Sequence, residues 1–137
     1  MIEWYNSLSK LEQYILLCLV MTFLHIIADY LVQNDFMAKY KQKKNWEEYV
    51  KENDTYKYDY IVVLLVHGFS WAFITFFPIL IIHSVWLFAI VIIIHMFIHA
   101  WIDNKKCNEF KINLILDQLY HLNQIFWTTT VIVIIIQ

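Results

Sequence analysis

The sequence predicts an all-α fold: a four-transmembrane-helix bundle running up-down-up-down, with an amphipathic cytoplasmic helix in the first loop. Three observations carry this. Hydrophobic residues make up 61% of the 137-residue chain and charged ones 16%, more apolar surface than a soluble core of that size would bury. The apolar residues fall into four blocks, each about as long as the hydrocarbon core of a bilayer requires. One Gly and one Pro are all that interrupt them. Residues 1–137 therefore read as a single integral membrane domain.

The first helix is expected over 9–32. Ser9 is its N-cap, and Glu12 stands three residues on, as in a capping box. The N-terminus has no basic leader segment and no small-residue cleavage site, so this helix reads as retained rather than as a signal peptide. A charged loop follows, within which 36–52 has helical composition with Phe36, Tyr40, Trp46 and Tyr49 interspersed, the pattern of an interfacial amphipathic helix. The second helix is expected over 61–77, stopped by Pro78. An uncharged connection leads to the third, over 83–103, and a short polar loop with Lys105, Lys106 and Lys111 to the fourth, over 112–136. Cys18 and Cys107 fall at different depths, so no disulfide is expected.

Orientation follows from lysine. All ten basic residues are Lys, and nine of them lie in the first and third loops. The positive-inside rule makes those loops cytoplasmic, places the chain in a cytoplasmic (inner) membrane and leaves both termini outside. The formal net charge of -2 gives no reason to expect a nucleic-acid partner.

Polar residues inside apolar helices are costly, roughly 2.5–3.5 kcal/mol for a charge near the membrane centre, so they persist with a partner or a purpose. The expected helices carry His25 and Asp29, His67, His99 and Asp103, and Asp117 and His121. Three of these are His/Asp pairs four residues apart, which places both side chains on one helical face. Composition alone would give three such pairs on the order of 1% of the time, so the pattern is a signal rather than an accident. In an up-down bundle all seven groups fall at the same, cytoplasmic end. Imidazole with carboxylate suits zinc most readily, with manganese or iron as alternatives, as one or two ions. All seven are candidate metal ligands, and Asp29 and Asp103 are the candidate catalytic acids, able to activate water for hydrolysis.

The runs His25 to Gln33 (HIIADYLVQ), Met37 to Lys39 (MAK), Val66 to Gly68 (VHG), His99 to Asp103 (HAWID) and Asp117 to His121 (DQLYH) stand in one order along nearly the whole chain. Together they resemble a bacterial and phage membrane family known as domain of unknown function 3307. More distantly the chain is similar to small inner-membrane proteins described as metal-dependent hydrolases, which share the His-x-x-x-Asp habit. The first resemblance implies a fold and a polar cluster, the second a hydrolytic activity.

The site reads best as a metal centre, and a hydrogen-bonded network joining the helices is the plainer alternative. His95, one turn deeper than His99, reads more readily as packed than as a ligand. His83 is expected in solvent, Gly68 at a close helix contact, and Gln33 and Gln118 beside the acids. The function expected is that of a membrane-embedded metal-binding protein acting as a hydrolase on a lipid-linked or phosphorylated substrate. A small ion or solute transporter component and a non-catalytic partner-binding protein are the alternatives, and under each reading self-association into a homo-oligomer is open.

Overall fold

A computed structural model describes residues 2–136, and among them there is no strand. The elements are α1 (Ile2–Ser7), α2 (Lys10–Ile26) continued by a π-helical segment Ile27–Val32, α3 (Asp35–Tyr40), α4 (Glu47–Glu52), α5 (Asp59–Ile82), α6 (Val85–Cys107) and α7 (Leu114–Thr130), which continues as π-helix over Val131–Ile136. The long helices close a ring of contacts: α2 touches α5 and α7, and α6 touches the same two, with α5 and α6 paired most extensively.

Local chemistry sets the helix starts. Ser9 caps α2 as its spacing predicts: its Oγ accepts from the Glu12 amide at 3.3 Å, and the Glu12 carboxylate accepts from the Ser9 amide at 2.8 Å. Ser9→Ala is expected to lower stability by about 1 kcal/mol in thermal unfolding of the detergent-solubilised protein. Ser84 and Asn113 cap α6 and α7 with their side-chain oxygens alone, which accept from the Leu87 and Leu116 amides. Both cysteines are free.

Four expectations are corrected. Pro78 does not end the second helix, which runs on through it to Ile82. Proline removes one hydrogen bond from a helix, whereas unwinding would free several backbone groups among apolar neighbours, a larger cost where no water can replace them. The loop helix expected over 36–52 is broken after Tyr40 into α3, a 3-10 turn Lys43–Trp46 and α4. The break has a cause: Asn108, in the third loop, accepts from the Lys43 amide at 2.7 Å and donates to the Lys41 carbonyl at 3.1 Å, pinning the chain at a bend. His83 is half-buried in the turn between α5 and α6, and burial lowers its pKa.

The fourth correction is to the number of membrane crossings. Lys10–Val32, Asp54–Ile82 and Val85–Cys107 are long and apolar enough to cross a membrane; α7 is not among them. Asp117, Gln118, His121, Asn123, Gln124 and three threonines dilute its hydropathy. The expectation that both termini share a side loses the count of crossings it rested on.

The exterior is apolar, unlike a soluble protein's, and polar groups are buried beside a hydrophobic core of Leu17, Met21, Trp71, Phe76 and Ile79. Large apolar side chains such as Phe23, Phe69, Phe73, Ile93, Phe97 and Trp101 cover the outside, while four histidines, Asp103, Asp117, Gln124 and Thr129 are buried within. An exposed apolar surface this continuous calls for an apolar surrounding. Above the apolar zone, Phe36, Tyr40, Trp46, Tyr49 and Tyr56 form a chain of ring contacts 4.8 to 6.4 Å apart, the kind of aromatic cluster found at membrane–water boundaries.

Candidate metal centre

Each helix of the ring brings its polar residues to the same end. His25 lies in the last turn of α2 and Asp29 in the π-helical segment after it. His67 comes from the early part of α5, His99 and Asp103 from the late part of α6, and Asp117 and His121 from the start of α7. The π-helical widening matters for Asp29. Its Oδ1 lies 3.7 Å from His67 Nε2 and 3.9 Å from His99 Nε2, on two other helices. Such widenings recur at functional sites because they re-aim a side chain.

Asp103 is the hub. Its Oδ2 is 3.4 Å from His67 Nε2, and its Oδ1 is 3.8 Å from His99 Nε2 and 3.7 Å from His121 Nε2. Asp117 Oδ1 stands 3.5 Å from His121 Nε2. These separations are too long for good hydrogen bonds, which run about 2.7–3.2 Å. Two ligands on a tetrahedral zinc, each bound at about 2.0–2.1 Å, lie about 3.3 Å apart, so the spacing is that of donors around an ion, a few tenths of an ångström wide.

Satisfaction of polar atoms points the same way. His67 Nε2, both ring nitrogens of His99, His121 Nε2 and Asp117 Oδ1 are buried with no hydrogen-bond partner. A single orphaned buried polar atom costs about 1–3 kcal/mol, so the four on the cluster side, with His99 Nδ1 on the far side of its ring, call for a common partner. Two overlapping groups have donor atoms close enough to hold an ion: Asp29, His67 and His99, and His99, Asp103 and His121. Each supplies three protein ligands, the number that leaves one zinc coordination position open.

His25 falls outside both groups. Its Nδ1 accepts from Trp71 Nε1 at 2.7 Å, and its Nε2 then donates to Gln118 Oε1 at 3.0 Å. With both nitrogens engaged, it orients Gln118, whose amide donates to Asp117 at 3.1 Å and Asp29 at 3.4 Å. His95 is packed: its ring tilts on Phe76, and its nitrogens lie 2.8 Å from Gln124 Oε1 and from Thr128 Oγ1. Gln124 in turn reaches His121 Nδ1 at 3.2 Å.

Three side chains of the site were not anticipated. Trp71, fully buried, stacks on His99 with ring centroids 4.4 Å apart and forms the floor. It stands four residues after His67, and that spacing was the available signal. Lys106 Nζ bonds Asp117 Oδ2 at 2.6 Å; it lies three residues after Asp103, again a legible offset. Lys41 Nζ bonds Asp103 Oδ2 at 2.6 Å and Gln33 Oε1 at 3.1 Å. Nothing local foretells that pairing, which depends on the bend pinned by Asn108.

An all-helical protein with three segments of membrane-spanning length and a buried His/Asp cluster among its helices is the class these features define. Residues 15–137 match the family described as Protein of unknown function (DUF3307), and the chain belongs to it. No curated protein and no solved structure matches it significantly.

Proposed function

We propose that this protein is an integral membrane, metal-dependent hydrolase with its centre at the lysine-rich, cytoplasmic end of the helices. The observation that carries the reading is the set of four buried atoms without hydrogen-bond partners, His67 Nε2, His99 Nε2, His121 Nε2 and Asp117 Oδ1, drawn from three helices, with the three imidazole nitrogens 3.4 to 3.8 Å from the Asp103 carboxylate. A divalent ion held there, zinc before manganese or iron, supplies the Lewis acidity that makes water nucleophilic near neutral pH.

The residues divide the work. His67, His99, His121 and Asp103 hold metal, with Asp117 beside His121. Asp29 and Asp103 both border the cleft that opens on the cluster, and Asp29 is the more exposed, 11% against 3%, so it is the base that water reaches. As the water oxygen bonds to the electrophilic centre of an ester, Asp29 takes its proton. The bond to the leaving oxygen breaks, and that oxygen receives the proton from Asp29. Trp71 and Gln118 keep the ligands and the base aligned.

Protein purified in detergent is expected to carry about one or two such ions per chain by elemental analysis. His99→Ala, which touches both ligand groups, removes them. His25→Ala, acting through Gln118 and Trp71, weakens affinity about 10–100-fold. Metal that survives His99→Ala undiminished sinks the reading.

A second reading, an ion or proton path, is favoured by the polar line His121, Gln124, His95 and Thr128 leading away from the cluster. Proton flux through the protein in liposomes separates the two, since the hydrolase requires none.

A further inference from the structure

Beyond the metal donors, the centre has a second feature: two ammonium groups at the mouth of its cleft. The cleft has a volume of about 300 Å³ and is lined by Asp29, Lys41, Asp103, Lys106, Gln118 and Tyr30, among others. Lys41 and Lys106 approach from different segments, the bend after α3 and the end of α6, and each reaches a candidate metal-ligating acid at 2.6 Å. The Lys41 side chain is only 12% exposed, so a long cationic chain has been drawn out of water to stand there. Lysines that served solubility or lipid attraction would point outward.

Charge counting shows what such an arrangement requires. Asp29, Asp103 and Asp117 carry three negative charges, Lys41 and Lys106 two positive ones, and ligating imidazoles are neutral. The cluster is then at -1, at +1 with one divalent ion and at +3 with two. A positive site in a low-dielectric surrounding is costly until an anion balances it. The ion also competes with the two ammoniums for Asp103 and Asp117, which frees their protons for another acceptor. A phosphate group offers several oxygens and one or two negative charges, and lysine binds it as a point charge. The lip of the cleft includes Tyr30 and Leu114, both exposed to the apolar surrounding, so the ester group can enter from the lipid side or from water.

We propose that the cleft between Lys41 and Lys106 is a phosphate-binding subsite of the metal centre, and that the substrate is a phosphate ester. This rests on the metal-hydrolase reading.

The test uses the full chain in phosphate-free detergent, loaded with zinc, with metal content and phosphate binding measured separately. Inorganic phosphate is titrated by calorimetry into wild type, the Lys41→Met/Lys106→Met double variant, Lys106→Met alone, the double Lys→Arg variant, and Lys105→Met as a control whose ammonium is held by Glu109 instead. The double Met variant is expected to keep or raise its metal content, since a competing cation has been removed, and to bind phosphate at least about tenfold more weakly. Arginine restores binding, Lys105→Met leaves it unchanged, and metal-free wild type binds less than the loaded protein. Should the double variant fail to fold, Lys106→Met, at a more exposed position, carries the same expectation at smaller size. Phosphatidic acid in mixed micelles and soluble glycerol phosphate then compete with inorganic phosphate, and the stronger competitor identifies the source. Wild type that takes up zinc but binds no phosphate, or binds it equally without the two lysines, overturns the subsite and leaves the metal centre standing, with a carboxylic ester as the remaining substrate class. Wild type that takes up no zinc overturns both.

Discussion

Asp103→Asn is expected to leave the chain essentially metal-free, with affinity reduced by about 100-fold or more. Asparagine keeps the size and shape of the side chain and removes its charge, so the effect isolates ligation from packing. Asp103 is buried, and its two oxygens face His67, His99 and His121 at 3.4 to 3.8 Å. Asp29 also faces three histidines, His25, His67 and His99, but from farther off, at 3.7 to 3.9 Å, and from a more exposed position. An amide is a poor ligand for zinc beside a carboxylate, and losing even an outer-shell partner typically costs 10–100-fold in metal affinity. The accompanying stability change separates the two readings of the cluster. If an ion binds the folded state alone, chelation lowers the melting temperature of wild type by mass action and leaves that of Asp103→Asn unmoved. If the cluster is only a polar network, both proteins ignore the chelator and the variant melts lower through the unpaired Lys41. Elemental analysis with melting curves taken with and without chelator decides between them, and full metal occupancy in the variant refutes the assignment.

Much of this arrangement was legible in the chain, for physical reasons. Apolar blocks of bilayer length can satisfy their backbones only as helices, so the long helices follow from hydropathy. The His/Asp offsets of four residues place both groups on one face, and the antiparallel order brings those faces to one end. What sequence reasoning missed depends on long-range contact. Lys41 reaches Asp103 across 62 positions because Asn108 bends the first loop. His25 reads as a ligand by spacing, but Trp71 and Gln118 occupy its nitrogens, a fact set by the relative rotation of two other helices, α5 and α7. Pro78 was read as a stop under rules for water-exposed helices, where freed carbonyls find solvent. The fourth helix is expected as a crossing because 112–136 forms one of four blocks of bilayer length, but its N-terminal half is given over to the polar groups of the site.

The same close packing makes Gly68→Ala the second large effect. Gly68 faces α6 so closely that a Cβ placed on it would stand 2.5 Å from the Met96 carbonyl oxygen and 3.4 Å from the Ala100 amide nitrogen. Both are backbone atoms, so no side chain can swing aside; the helices must separate, against a dense interface. Overpacking of this kind costs about 1–3 kcal/mol, partly offset by up to about 1 kcal/mol because alanine is the better helix former. The geometric consequence is larger than the energetic one. His67 immediately precedes Gly68, and Met96 and Ala100 flank His99, so the contact sets the 4.9 Å between the two imidazole rings. Moving α5 off α6 by even half an ångström widens the Asp29, His67 and His99 group, whose donor separations already exceed those of a closed tetrahedral site. Gly68→Ala is therefore expected to fold, to melt several degrees lower, and to lose metal affinity by about tenfold or more, out of proportion to its stability. Ser70→Ala, on the same helix but bonded only to the Val66 carbonyl, is the control and should change neither. A Gly68→Ala protein with wild-type metal content would mean that α5 and α6 do not set the ligand spacing, and that the ion, if bound, draws its donors from α6 and α7 alone.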